Sequence, residues 1–530
     1  LVLAVLLLLT GSTIALAMRH TSTTFDEIVM MAGGARGYAT GDWTIAPEHP
    51  PLTQYLYGLP IYLAQPSYPD ESAVTAAAKA AAGYRYLYAQ QFFWQSGNDP
   101  ERLALLGRAP AVLAAMLLVA VVYGFARTAA GAPAGLLAAL LVAVTPDVLA
   151  HGGVAYNDVP VALAMFGALW AADRTIRDPS VARGLLAGAL VGVALAVKNS
   201  AAALAPILGL LLIIEMLQRR RDPSWWRAML PAGALTLTAI YLALVAAYRG
   251  DLTLAEYRYS IDFAFNQVNA NAPGYLLGER AIGGFWYFFP VAFLFKTSAA
   301  YHILVVLAAG AFAHGLRAST RVHALARSPL RAPLVGVVVL AALLLSSSVN
   351  IGFRYALPAL PMLAVLVAVG VVRAWHLVTP GLRALIVVTV TWTAIHPLSY
   401  YPHFLTYISE YGPGRDQNYQ VMVDSNIDWG QGLLELREFM DEQGIDRVRL
   451  SYFGSALPSG YGIAYDRLPS FFTLRRLRAP ADSAAALAWI AVSATNLAGV
   501  YFDHDPFRAL RDLRPDYVVA NSIYLYHVTE

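Results

Sequence analysis

The chain has 530 residues, of which 58% are hydrophobic and 13% charged, with a formal net charge of +3 and no cysteine. Soluble domains carry about 25% charged residues, so this composition places the chain in the membrane class and leaves too little positive charge to suggest nucleic acid. Without cysteine there are no disulfides, no thiolate chemistry and no zinc–cysteine site.

The chain begins at Leu1, and residues 1–17 are apolar. The one small-residue cleavage candidate is Ala15-Leu16-Ala17 and many hydrophobic stretches follow, so the segment is expected to be a first transmembrane helix rather than a signal peptide. A spanning helix needs roughly 20 apolar residues. Eleven such stretches occur, near 1–17, 108–127, 134–151, 158–174, 182–198, 200–217, 229–248, 286–313, 332–350, 354–373 and 381–400. If residue 1 is cytoplasmic, alternate loops fall inside with fourteen arginines, among them Arg219, Arg220 and Arg221, then Arg317, Arg321, Arg327 and Arg331. The short loops on the other side hold almost none, so the positive-inside rule sets the N-terminus in the cytoplasm of an inner (plasma) membrane and the C-terminal tail outside.

That orientation leaves three long segments outside: 18–107, 249–285 and 401–530. The first is expected to hold two interfacial helices, 24–40 and 50–64. The tail reads as α/β, with a helix at 428–443, a strand at 448–453, helix running into strand over 484–493, and strands at 516–520 and 523–527. The expected fold is therefore an all-α polytopic membrane domain over 1–400, with interfacial helices in its first outer loop and a small α/β extracytoplasmic domain over 401–530. No ATP or nucleotide sugar is available outside the cytoplasm, whereas a lipid-linked donor is.

Polar residues near the outer ends of these stretches are the candidate site. Asp26-Glu27 lies shortly after the first helix; such a pair can supply a general base and its acidic neighbour, or simply helix-start acids favoured by the macrodipole. In Glu48-His49-Pro50-Pro51-Leu52 the prolines fix a helix entry and hold His49 where it can donate to a phosphate oxygen. Asn157-Asp158, close to His151, begins the fourth stretch, and an acid at a membrane boundary is a functional hypothesis by default; helix capping is its alternative. Of the 37 basic residues only Lys79, Lys198 and Lys296 are lysines. Lys198 and Lys296 sit at outer ends of apolar stretches, where a compact cation can neutralise a lipid phosphate or snorkel. Arg354, in NIGFRYALP, is a further phosphate candidate. The run Asp424-Ser425-Asn426-Ile427-Asp428 faintly suggests a calcium loop, but Trp429 stands where the sharp turn needs glycine, and Asx turns explain it better.

Taken together, TFDE, GDW and EHPPL in the first outer loop, then GRAP, NDVP, AVKNS, FWYFFPVAFLFKTS and NIGFRYALP, resemble the protein O-mannosyltransferases and the lipid A aminoarabinose transferases. Both are polyprenyl-phosphate-dependent glycosyltransferases of the GT-C superfamily. The similarity runs over about 20–405, and DSNIDWGQGL with SYFG in the tail looks like a bacterial branch. The resemblance implies that Asp26 is the acid acting as base or coordinating the acceptor, with Glu27 its partner. It makes Asp158 a second acidic position, and Lys198, Lys296 and Arg354 cations for the donor phosphate. His49 falls where aminoarabinose transferases carry a lysine. It further implies an inverting transfer of one sugar from a polyprenyl-monophosphate donor to an extracytoplasmic acceptor, under the tail. The resemblance fixes no cofactor, and Asp26 with Asp158 is left open as a place for a divalent cation. The rivals are a transporter or flippase, whose sites lie near the membrane midplane, and a metal-dependent enzyme using a lipid diphosphate oligosaccharide.

Overall fold

The structure is a computed structural model that describes residues 1–72, 74–75, 79, 83–268, 273–316, 326–471 and 489–527. Each apolar stretch becomes helical, but breaks and boundaries differ from the expectation. The elements run α1 (Val2–Ala17), α2 (Glu27–Thr40), α3 (Pro51–Leu63), α4 (Tyr84–Gln90), α5 (Pro100–Ala130), α6 (Ala132–Ala143), α7 (Pro146–His151), α8 (Asp158–Arg177) and α9 (Val181–Val197). They continue with α10 (Leu204–Arg219), α11 (Pro223–Ala247), α12 (Ala255–Val268), a hairpin of β1 (Pro273–Leu276) and β2 (Glu279–Ile282), α13 (Phe288–Lys296), α14 (Ala299–Leu316), α15 (Arg331–Leu345), α16 (Ala359–Trp375) and α17 (Pro380–Leu398).

Among the described residues, six helices are long and apolar enough to cross a membrane, or seven if the bent pair α13–α14 counts as one span. Four others, α6, α9, α15 and α16, are apolar but shorter. The expected eleven stretches thus correspond to helices, while eleven full spans are not what length and composition give. Local chemistry explains the breaks. The 134–151 stretch is split at Thr145, because Pro146 cannot continue a helix from its N–H side. The 286–313 stretch bends by 112° at Thr297-Ser298. The expected 332–350 helix stops at Leu345, where a run of serines follows.

Two expectations for the first loop change. The helix expected from residue 24 begins at Glu27 with Asp26 as its N-cap position. It does not lie on an interface: its residues 27–37 are all buried. It packs backbone to backbone on α3, since a Cβ on Gly34 would come within 2.1 Å of the Gln54 carbonyl oxygen, and one on Gly58 within 2.2 Å of the Gly34 carbonyl carbon. By contrast α3, with Pro51 in its first turn, leaves Leu56, Leu59, Tyr62 and Leu63 exposed.

The tail holds α18 (Leu433–Glu442) and a five-stranded mixed sheet: β3 (Val448–Ser451), β4 (Tyr465–Arg467), β5 (Trp489–Ser493), β6 (Tyr517–Val519) and β7 (Ile523–His527), in the order β4-β3-β5-β7-β6. β3 runs parallel to β4 and β5; β7 is antiparallel to β5 and β6. The expected 428–443 helix starts later, and the first part of the expected 484–493 element lies outside the described residues. The tail shares its core with the helical part: Trp429, Phe453 and Leu405 cluster with Phe25, Tyr57 and Tyr156. Backbone bonds run from Ser22 N to the Gln431 carbonyl (3.0 Å) and from Leu277 N to the Val421 carbonyl (2.8 Å). The three long segments therefore gather at one end of the helix bundle.

Candidate functional site

Asp158 opens α8, Lys198 ends α9 and Arg354 sits in the turn before α16, so three helix ends deliver one charged cluster. Lys198 Nζ donates to Asp158 Oδ1 at 2.5 Å and Arg354 NH1 to Oδ2 at 3.4 Å. His151 Nδ1 is 3.8 Å from the same Oδ2. The cations are also caged by rings: Lys198 lies 5.0 Å from the Tyr355 centroid, and Arg354 lies 4.3 Å from Trp429 and 5.1 Å from Tyr156. Such cation–ring contacts favour a fixed cation over a snorkelling one.

Asp26 adjoins this cluster. It is partly exposed, accepts from the Tyr86 hydroxyl at 3.4 Å, and acts electrostatically on His49, Lys198, Arg354 and Arg85. His49 is largely enclosed, with Nδ1 3.4 Å from Asn157 Nδ2 and Nε2 3.3 Å from the Tyr156 hydroxyl. The amide nitrogen can only donate, so Nδ1 accepts and Nε2 carries the proton. Burial pushes His49 down to about 4, so it serves as a neutral hydrogen-bond donor at neutral pH. Next to it Glu48 is paired with Arg85 of α4. Arg85 and Tyr86 were not singled out from sequence; their signal was the RYLY run in an outer loop that also carries the acids. A cavity of about 720 Å³ opens beside His49, walled by Trp43, Gln54, Tyr84, Arg85, Tyr248 and Tyr259 among others.

Two sequence-predicted residues stand elsewhere. Glu27 has no exposure; Arg108 Nε donates to its Oε1 at 2.7 Å and the Thr24 hydroxyl to its Oε2 at 2.8 Å. Both oxygens are spent inside the protein, which corrects the expectation that Glu27 works as the chemical partner of Asp26. Arg108, in the GRAP segment, also donates to the carbonyls of Met18, Thr21 and Ser22 at 2.8–2.9 Å, tying the α1–α2 connection to α5. Lys296, likewise with no exposure, spends its ammonium on the carbonyls of Leu405, Tyr407 and Asn426 at 2.9, 3.0 and 2.9 Å. It anchors the tail at the α13–α14 bend, which corrects its assignment to a phosphate.

The 424–428 run is also internal: Asp424 Oδ1 accepts from Ser425 N (2.6 Å) and Asp428 Oδ2 from Thr495 N (2.8 Å). Burial raises these carboxyls to about 6 and about 7. Among the described residues no group of three or more His, Asp or Glu side chains could hold a metal. A cation bridging Asp26 and Asp158 would have to displace Lys198 and Arg354 from Asp158.

Residues 101–248 match the family described as dolichyl-phosphate-mannose-protein mannosyltransferase. Two solved structures share the fold over nearly the whole chain. ArnT from Cupriavidus metallidurans bound to undecaprenyl phosphate is 14% identical, with a TM-score of 0.52, covering 99% of this chain and 97% of that one. The same protein in the apo state gives 13% identity and a TM-score of 0.52 over the same shares. No curated protein sequence matches. The ordered motifs, the matched segment and the shared fold agree: the chain resembles the GT-C glycosyltransferases of the protein mannosyltransferase and ArnT kind.

Proposed function

We propose that this chain is an inverting, membrane-embedded glycosyltransferase that moves one monosaccharide from a polyprenyl-monophosphate carrier to an acceptor on the outer side. The observation that carries the reading is the convergence of Lys198, Arg354 and neutral His49 beside a partly exposed Asp26. ArnT's binding of undecaprenyl phosphate supports the choice of carrier.

In this reading Lys198 and Arg354 bind the donor phosphate and His49 donates to it through Nε2. Asp158 keeps both cations charged and aimed. The phosphate then departs with the lipid as an anion, stabilised by fixed charges and needing no proton. Asp26 takes the proton from the acceptor hydroxyl or amine as the sugar–phosphate bond breaks, and attack from the opposite face inverts the anomeric carbon. The sugar occupies the cavity beside His49, whose rings offer stacking faces. All these groups lie at one end of the bundle, which favours an enzyme at the membrane surface over a midplane carrier.

The test uses the purified protein in nanodiscs with lipid extracts containing polyprenyl-phosphate sugars and a cell-envelope extract as the source of acceptor. Release of free polyprenyl phosphate with an inverted glycosidic product, unchanged in chelator, is the expected result. Sugar lipid that crosses the bilayer with its sugar–phosphate bond intact would replace the enzyme with a flippase. Loss of turnover in chelator would replace it with a metal-dependent transferase.

A further inference from the structure

Segment 424–431 of the tail lies between the two halves of the site. Towards the cations, Arg354 Nε donates to Ser425 Oγ at 3.0 Å and its guanidinium rests 4.3 Å from the Trp429 centroid. Ser425 Oγ in turn donates to the Ile351 carbonyl at 2.7 Å, and Phe353 N donates to Asn426 Oδ1 at 2.8 Å. Towards the acid, Phe25 N donates to the Trp429 carbonyl at 2.8 Å, and Ser22 Oγ donates to the Gly430 carbonyl at 2.9 Å. Asp26 follows Phe25 directly.

The segment is itself shaped by bonds that leave it little freedom. Asp424 adopts a φ of 57° and Gly430 one of 87°. Trp429 N donates to Gln431 Oε1 at 2.7 Å and the Gln431 amide returns to the Ile427 carbonyl at 2.9 Å. Trp429 thus touches Arg354 with its ring and the Asp26 loop with its carbonyl. Arginine has a long flexible stem, and holding its fork in place before the ligand arrives removes an ordering cost from binding.

From this geometry we infer that the tail segment is a spacer that sets Arg354 against Asp26, with Ser425 and Trp429 as positioning residues for the donor phosphate. The inference rests on the donor reading of Arg354. It gives the tail a part in the reaction separate from contact with the acceptor.

The test is a double-mutant cycle read as binding of undecaprenyl phosphate to purified full-length protein in nanodiscs. Ser425→Ala and Trp429→Leu are each expected to weaken binding about 5- to 10-fold, and Trp429→Phe, which keeps a ring face, to recover most of the loss. In an Arg354→Ala background neither change should weaken binding further, because residues that act through one partner are not additive. Tyr400→Phe, which removes a 2.8 Å bond to the Ile408 carbonyl outside this segment, should lower the melting temperature and leave affinity alone. Wild-type affinity in Ser425→Ala and Trp429→Leu, or full additivity with Arg354→Ala, would overturn the positioning role while the donor reading stands. Wild-type affinity in Arg354→Ala itself would overturn the donor role of Arg354 and the inference with it.

Discussion

Replacing Glu27 with alanine separates structure from chemistry at the adjacent acid pair. Glu27 and Arg108 face each other at 2.7 Å with side-chain exposures of 0% and 2%. Breaking one side of such a buried pair costs about 3–5 kcal/mol, because the remaining charge is left without its partner. Arg108 would keep its three carbonyl acceptors, but its Nε and the Thr24 hydroxyl would lose theirs. Glu27→Gln retains an acceptor oxygen and loses only the charge, so its cost should fall nearer 1–3 kcal/mol, roughly that of a weakened charge-assisted bond. The assay is thermal unfolding of the full-length protein in detergent, alongside turnover per folded molecule. Glu27→Ala should melt well below the wild type, Glu27→Gln between them, and Glu27→Ala/Arg108→Ala should cost less than the two single changes together. A wild-type melting temperature with turnover lost per folded molecule would refute this and return Glu27 to the chemistry beside Asp26.

The two lysines should part company: Lys198→Ala is expected to weaken undecaprenyl phosphate binding by about 10- to 150-fold. Lys296→Ala, by contrast, should chiefly lower the melting temperature, with a loss of affinity no greater than the about 5- to 10-fold of the segment's positioning residues. Burial raises Asp428 to about 7 and Asp424 to about 6, so the folded chain binds more protons than the unfolded one between pH of about 4 and 7. The stability these groups contribute is full below that window and is lost as pH rises through it. Asp428→Asn should therefore be more stable than the wild type at pH 8, with the gain vanishing in denaturation measurements near pH 4. Single cysteines on this cysteine-free background should report sidedness. Replacements of Asp70 and Asp503 should react with an impermeant reagent from outside and one of Arg221 should not; the reverse pattern would invert the proposed topology.

Hydropathy made the helices legible because each apolar stretch must bury its backbone bonds internally. It could not show how many cross fully, since α6 and α9 are too short on their own. The start of α5 at Pro100 was written in the sequence, as Asp99 accepts from Arg102 N and proline suits the first turn. An apolarity scan alone begins that helix too late. At the site, Asp26, His49, Asp158, Lys198 and Arg354 converge as their positions at helix ends suggested. Lys296 did not, because its partners are carbonyls more than a hundred residues away and leave no local trace. Glu27 was misread because adjacency to Asp26 says nothing about Arg108, 81 residues on. Arg108, a charged residue inside the apolar α5, was the available signal. The contacts of segment 424–431 with Phe25 and Arg354 were hidden for the same reason: all are long-range.

If Asp26 is the base beside a phosphate held by Lys198 and Arg354, Asp26→Asn removes the base and conserves its shape. Turnover of a polyprenyl-phosphate sugar should fall by at least the roughly 10²–10⁴-fold that a positioned base supplies, while the variant still folds and binds undecaprenyl phosphate with wild-type affinity. Near-wild-type turnover in Asp26→Asn, with Asp158→Asn inactive, would contradict the account and move the base to Asp158.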